Sequence, residues 1–272
     1  MLVPTVLTIA GFDPSGGAGV IADIRTFIAL GCTPSAAITS LTFQNALAVQ
    51  GAKHQTAQTV REQVMAIVES PIAAAKTGML PTAAIVSEVA RLILEDVVPA
   101  PIVDPVLRST SGYELMESDA IAVLLAELMP LARLITPNIP EAETLTGLGI
   151  EDEDGMRAAA RKLREMGARA VLIKGGHLKQ RSEVRDQASA RGTSPTVREG
   201  SAKAIDVLDD GGLVTVFRGE WIDSAPVRGT GCMLSAAIAA CIGKGMELEV
   251  AVRVAKEFVA RAIRDSQLQT QD

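Results

Sequence analysis

Short β-branched apolar runs alternate along the chain with segments of helical period. Residues 6–10, 37–42, 72–76, 101–104, 131–136 and 170–174 read as strands. Their near-continuous apolarity predicts burial on both faces, as in a parallel sheet. Between them, Val60, Val64, Ile67 and Val68 make one helical stripe, with Thr59 and Glu62 at capping-box spacing. Ile85, Val89, Leu92 and Ile93 make a second stripe, and Ala159, Ala160, Leu163 and Met166 a third. The alternation predicts an α/β fold: a doubly wound, mostly parallel central sheet flanked by helices on both faces. No repeat or boundary divides residues 1–272, which read as a single domain. Residues 205–208 and 213–217 form a predicted hairpin around Asp209-Asp210-Gly211-Gly212. The polar insert at 179–203 reads as a solvated loop or as a flap bordering a site.

Composition narrows the function classes. Of the 272 residues 48% are hydrophobic and 3% aromatic, so the core is built from Ala, Val, Leu and Ile. Few aromatics and a net charge of −6 leave neither stacking platforms nor a basic footprint, which excludes nucleic acid as a partner. The apolar start, residues 1–10, has no basic region and turns glycine-rich at Gly11, as a first core strand does and a signal peptide does not. No apolar run is long enough to span a membrane. Cys32, Cys232 and Cys241 are scattered and odd in number, which argues against a disulfide framework or a zinc site and for a cytoplasmic compartment.

In open α/β sheets ligands bind in the loops after the carboxyl ends of strands, and four such loops are unusual here. The first, residues 10–19 (AGFDPSGGAG), is glycine-rich and opens a helix, but it matches neither a Walker A loop nor GxGxxG. Asp23 follows in that helix, where a solvated surface aspartate is the alternative to a functional one. The second, Val103-Asp104-Pro105-Val106, ends an apolar strand on a carboxylate that either orients magnesium-bound water or caps a turn. The third, Thr136-Pro137-Asn138-Ile139-Pro140-Glu141, brings Asn138 and Glu141 to one side of a helix start. Magnesium and simple helix capping explain it equally. The fourth, Arg228-Gly229-Thr230-Gly231-Cys232, precedes a small-residue helix. Its open N–H groups at the positive end of the helix dipole make an anion hole for a transferring phosphoryl group. At that end the thiol pKa of Cys232 is expected to fall, whereas Cys32 and Cys241 read as buried structural cysteines.

With these segments in order, the chain resembles the hydroxymethylpyrimidine/phosphomethylpyrimidine kinases of thiamine biosynthesis, in the ribokinase-like superfamily. The matching stretches are TIAGFDPSGGAG, ITSLTFQNALAVQG, KTGML, VDPV, TPNIPEAE, VLIKGGH and GTGCMLSAAIAA, spanning residues 8–240. The resemblance implies phosphorylation of a hydroxymethylpyrimidine and its monophosphate with ATP and Mg2+, and a homodimer. It gives Gly11, Asp23, Gln44, Met79 and Val106 to the pyrimidine pocket. Asp104, Asn138 and Glu141 would organise magnesium and its waters, and Lys174, Thr136 and His177 would serve the nucleotide. Gly229, Thr230, Gly231 and Cys232 would form the anion hole, with Cys232 as base where the superfamily's sugar kinases place aspartate. Phe12 stands where the family usually has serine and Arg228 where it has histidine, leaving Arg108 or Arg228 to meet the phosphate of the second substrate. The competing readings are a pyridoxal/pyridoxine kinase of the same fold and a catalytically silent pyrimidine-binding regulator.

Overall fold

The computed structural model describes residues 3–45, 47–176, 203–220 and 229–268. His177, Arg228 and the polar insert up to residue 202 lie outside the described residues. The strands are β1 (Thr5–Phe12), β2 (Thr33–Gln44), β3 (Val49–His54), β4 (Ile72–Thr77), β5 (Ile102–Val103), β6 (Leu134–Ile135), β7 (Ala170–Lys174), β8 (Lys203–Asp210) and β9 (Leu213–Glu220). They form one sheet in the order β3-β2-β1-β4-β5-β6-β7-β8-β9. Pairing is parallel from β2 through β7 and antiparallel at both margins. The strand sequence reverses direction across β1 and β4, so the cleft between their carboxyl ends is a topological switch point, where ligands bind in such sheets.

Two apolar layers cover the sheet because successive strand residues point to opposite faces. On β1, Leu7 and Ile9 pack with α2 (Ala57–Met65), α3 (Ala83–Leu94), α5 (Ile139–Thr146) and α6 (Glu153–Glu165). Val6 packs on the other side with Phe27 of α1 (Gly19–Ala29), with α7 (Thr230–Gly243) and with α8 (Leu248–Leu268). The predicted inward stripes are buried: Val60, Val64, Ile85, Val89, Leu92, Ala159 and Leu163 are all inaccessible to solvent. A short helix α4 (Ser118–Val123) continues through π-helical and 3-10 turns to Leu131.

The structure departs from the sequence reading in three places and decides a fourth that the sequence left open. β3 was not anticipated; Gln50, Gly51 and Lys53 hide its strand character, and its pairing with β2 supplies it. β5 and β6 are two residues each, because Pro101 and Pro105 flank one and the 3-10 turn at Met129–Leu131 ends just before the other. The cap of α2 is Thr56, not Thr59: Thr56 Oγ1 accepts from the Thr59 N–H at 3.0 Å, and Val60 and Val64 still face inward. Asp23 is not a solvated surface residue but is fully buried. Its carboxylate accepts from Lys76 Nζ at 2.8 and 3.1 Å and from Thr8 Oγ1 at 2.6 Å, tying α1 to β4 and β1. Burial works against the Lys76 ammonium, but Asp23, with Cys232 and Asp104 beyond it, outweighs burial and holds the lysine pKa above its ordinary value.

Removing one partner of such a pair strands the other charge in the core. Asp23→Ala is therefore expected to cost about 3–5 kcal/mol by denaturant unfolding. The double variant Asp23→Leu/Lys76→Met is expected to recover most of that loss. A double variant no more stable than Asp23→Ala contradicts the pairing argument.

Candidate active site

At the carboxyl ends of the central strands lies a cleft of about 960 Å³. One end is walled by Gly11 and Phe12 at the end of β1, Asp13 just after it, Gln44 at the end of β2, Met79 after β4 and Val106 after β5. The other end runs between Val216 and Phe217 of β9 and the Val259, Ala260 and Ile263 face of α8, with Arg253 and Lys256 alongside. The first turn of α7 and Lys174 stand between the two ends.

The α7 turn is shaped by backbone constraints. Gly229 is its N-cap, at φ 76°, and a Cβ there would lie 2.1 Å from the Gly17 carbonyl oxygen. Gly19, at φ 59°, is equally confined: its Cβ would lie 2.2 Å from the Gly11 oxygen. Only glycine permits both the left-handed backbone and the contact, so the two loops interlock. Gly229 contributes no side-chain cap, which leaves the first N–H groups of α7 for a ligand. Lys174 Nζ sits beside them, 3.4 Å from where a Gly231 Cβ would be.

Asp104 anchors the floor. Its Oδ1 accepts from Lys174 Nζ at 2.8 Å and Thr136 Oγ1 at 3.3 Å, and its Oδ2 accepts from Ser235 Oγ at 3.2 Å. Burial disfavours this carboxylate, yet Lys174 and then Lys76 hold its pKa below the usual range. Lys174 in turn is held above its ordinary value: burial opposes its charge, and Asp104 and Glu141 more than compensate.

Asn138 and Glu141 form a reciprocal capping box on α5. Glu141 N–H donates to Asn138 Oδ1 at 2.9 Å, and Asn138 N–H donates to Glu141 Oε2 at 2.8 Å. Capping is thus realised, and the Asn138 amide oxygen is already engaged. Burial pushes the Glu141 carboxyl up to about 7; Lys174 opposes the rise and Asp104 adds to it. Among the described residues no three His, Cys, Asp or Glu side chains gather to hold an ion by themselves.

Cys232 also departs from expectation. It lies in the first turn of α7, where the helix dipole favours thiolate, but burial pushes its thiol above the ordinary value. Lys76 and the Gly19 N–H draw it down, against Asp104 and Asp23, which push it up, and the upward effects win.

The cleft therefore gathers Gly11, Gln44, Met79, Val106, Asp104, Asn138, Glu141, Lys174 and Gly229 to Cys232 on its wall. Asp23 and Thr136 stand one layer behind it, on Lys76 and Asp104. Sequence reasoning missed Asp13 and Lys76 as wall residues, although both stand inside the quoted motifs. It also missed the α8 face, whose apolar period signals only a helix.

A doubly wound sheet whose carboxyl-end cleft holds two lysines, Lys76 and Lys174, and the uncapped start of α7 has the architecture of a small-molecule kinase of the ribokinase-like class. The family model described as phosphomethylpyrimidine kinase matches residues 13–272, and the chain belongs to that family. The hydroxymethylpyrimidine/phosphomethylpyrimidine kinase of Streptomyces coelicolor is 39% identical over 261 residues, 96% of this chain and 88% of that protein. Among solved structures, the phosphomethylpyrimidine kinase of Clostridium difficile 630 superposes with a TM-score of 0.77 at 34% identity, over 96% of this chain and 99% of that one. The Staphylococcus aureus pyridoxal kinase in complex with AMP-PCP and pyridoxal gives 0.81 at 28% identity, over 97% and 88%.

The Glu141 carboxyl predicts a pH effect on the nucleotide-free protein. Its folded pKa, about 7, lies above the ordinary 4.5, so the folded state keeps a proton that the unfolded state releases. Its stabilising contribution is full below about 4.5 and is lost as pH rises to about 7, on the order of 3 kcal/mol. Glu141→Gln is expected to gain stability relative to wild type across that window in thermal melts. A constant difference between the two proteins contradicts the buried-carboxyl argument.

Proposed function

We propose that this kinase transfers the γ-phosphoryl group of ATP to the hydroxymethyl group of an aminopyrimidine, and then to the resulting monophosphate, for thiamine biosynthesis. The observation that carries this reading is the single cleft joining a Gln44-bearing ring pocket to a cation-lined slot through the α7 anion hole. Gln44 offers both a donor and an acceptor, as an aminopyrimidine edge demands. Family membership supports the same substrates.

In this reading the Gly11 and Met79 end holds the ring, and the Val216 and Val259 end holds the adenosine. Phosphoryl transfer asks the protein mainly for positioning and charge stabilisation. Lys174 and the first N–H groups of α7 meet the charge on the moving phosphoryl oxygens. Asp104 keeps the Lys174 ammonium aimed at that point. Glu141 and Asp104 are the carboxylates that would hold magnesium, through its waters, with Asn138 fixing Glu141; a cation there would favour the ionised form of Glu141. When bound, magnesium neutralises phosphate charge. Arg108 lies on the cleft wall, where it supports a role for this residue on the phosphate of the second substrate. Leu41 and Phe43, 39% and 56% exposed beside the edge strand β3, support the two-copy assembly that the resemblance implies. No helix among the described residues is long and apolar enough to cross a membrane.

ADP release with ATP and magnesium tests the function. It is expected with the hydroxymethylaminopyrimidine and its monophosphate, and Gln44→Leu is expected to raise KM for both. Turnover of pyridoxal alone would move the chain to the pyridoxal branch of the fold.

Cys232 is the proposed base for the hydroxymethyl proton. Because its thiol is held above the ordinary value, thiolate is scarce at neutral pH and grows as pH rises. Wild-type kcat is expected to climb roughly tenfold per unit between about pH 6 and 9. Cys232→Ala is expected to lose about 10²–10⁴-fold in kcat and that pH slope, with little change in KM or Tm. A wild-type profile that is flat over this range removes the base role and leaves catalysis to the anion hole.

A further inference from the structure

Asp206, on β8, stands where the walls of the cation-lined slot meet. Across the antiparallel ladders it faces Lys174 of β7 on one side and Phe217 of β9 on the other. Directly opposed residues of such ladders point to the same face of the sheet. Here it is the face covered by α8, where Leu172, Leu208, Phe217 and Val252 are buried together. Only 7% of Asp206 is exposed, and both its carboxylate oxygens are engaged.

Oδ1 accepts from the Gly175 N–H at 2.8 Å. Gly175 lies hard against β8: a Cβ there would sit 2.1 Å from the Ile205 carbonyl oxygen and 2.7 Å from Met156 Cε. One residue earlier, the Lys174 N–H donates to the Pro137 carbonyl at 2.9 Å. The backbone that carries Lys174 is thus gripped from both sides. Oδ2 accepts from Lys256 Nζ of α8. Arg253, one turn earlier on α8, pairs instead with Glu249 of its own helix.

Lys256 shares a helix face with Val259 and Ala260, three and four residues on. These two residues line the slot together with Val216 and Phe217 of β9. Holding Lys256 to β8 therefore sets the rotation of α8 and its distance from the sheet. The width of the slot and the place of the Lys174 backbone come from one carboxylate.

We propose that Asp206, acting through Lys256, is a positioning residue for the nucleotide. It holds the α8 wall at the spacing that clasps the adenosine, while the same carboxylate fixes the Lys174–Gly175 turn beside the phosphates. The inference rests on the reading above that places the adenosine between β9 and α8. Asp206 and Lys256 act on each other and on the backbone, and they move no proton.

Calorimetric Kd values for ATP with magnesium test this without any acceptor alcohol, so the outcome is independent of which alcohol the enzyme phosphorylates. Asp206→Asn keeps an oxygen for the Gly175 N–H and removes the charge that holds Lys256. Lys256→Met removes the same tie from the other side. Each is expected to weaken ATP binding about tenfold. The double variant is expected to fall within about threefold of either single, because all three remove one interaction. Lys256→Arg, which keeps the ion pair, is expected to stay within about threefold of wild type. ATP affinity unchanged in either single variant, whatever happens to Tm, overturns the proposal. So do effects that multiply in the double variant, or a Lys256→Arg loss equal to that of Lys256→Met. Ala260→Trp reports separately on the slot, which its ring fills, and is expected to weaken ATP binding at least about tenfold. Wild-type affinity in Ala260→Trp removes the adenosine placement and the proposal with it. Weak binding there, with both Asp206→Asn and Lys256→Met unaffected, removes only the positioning role.

Discussion

The bond between Asp104 and Lys174 is the constraint on which the cleft depends. β5 and β6 are two residues long, so the ladder alone gives the sheet little grip where the site must be most rigid. Asp104 supplies that grip at the carboxyl end of β5. It reaches Thr136 at the end of β6, Lys174 at the end of β7 and Ser235 in α7. One carboxylate thus ties three strand ends to α7, whose first N–H groups have no side-chain cap. Breaking it would leave Lys174 with only Glu141 to offset its burial, a costly state that holds the pair in this geometry.

The second buried pair, Lys76 with Asp23, does the same for the other half of the sheet. Together the two lysines bring positive charge to the cleft wall while each is balanced by a carboxylate. That balance has a chemical consequence. The carboxylates that make the lysines tolerable also face Cys232 and help push its thiol up. The helix dipole, read alone, points the other way, and burial with two aspartates overrides it.

Among the described residues two buried side-chain oxygens have no hydrogen-bond partner, Asp13 Oδ2 in the loop after β1 and Thr77 Oγ1 at the end of β4. A Cβ on Gly229 would collide with the opposing loop at Gly17, and one on Gly19 with Gly11 of its own loop. The close packing of two backbones at Gly229 is a cost in the free protein, and it lies at the cleft, where a ligand can repay it.

Much of this was legible in the sequence. Apolar runs and helical stripes determined the parallel sheet, its two helical layers and the loops that carry chemistry, because period and burial are properties of neighbouring residues. The ordered motifs around Gly11, Gln44, Asp104, Asn138 and Gly229 determined the family. Local letters did not determine β3, whose strand conformation comes from pairing with β2, or the cap at Thr56, one turn before the pattern-matched Thr59. They also left open whether Asp23 met solvent, whether Asn138 and Glu141 capped a helix, and which way the Cys232 thiol would shift. Those answers depend on groups from distant parts of the chain: Lys76 for Asp23, Lys174 and Asp104 for Glu141, and burial with Lys76, Asp104 and Asp23 for Cys232. Tertiary structure decided them because desolvation and Coulomb fields act through space rather than along the chain.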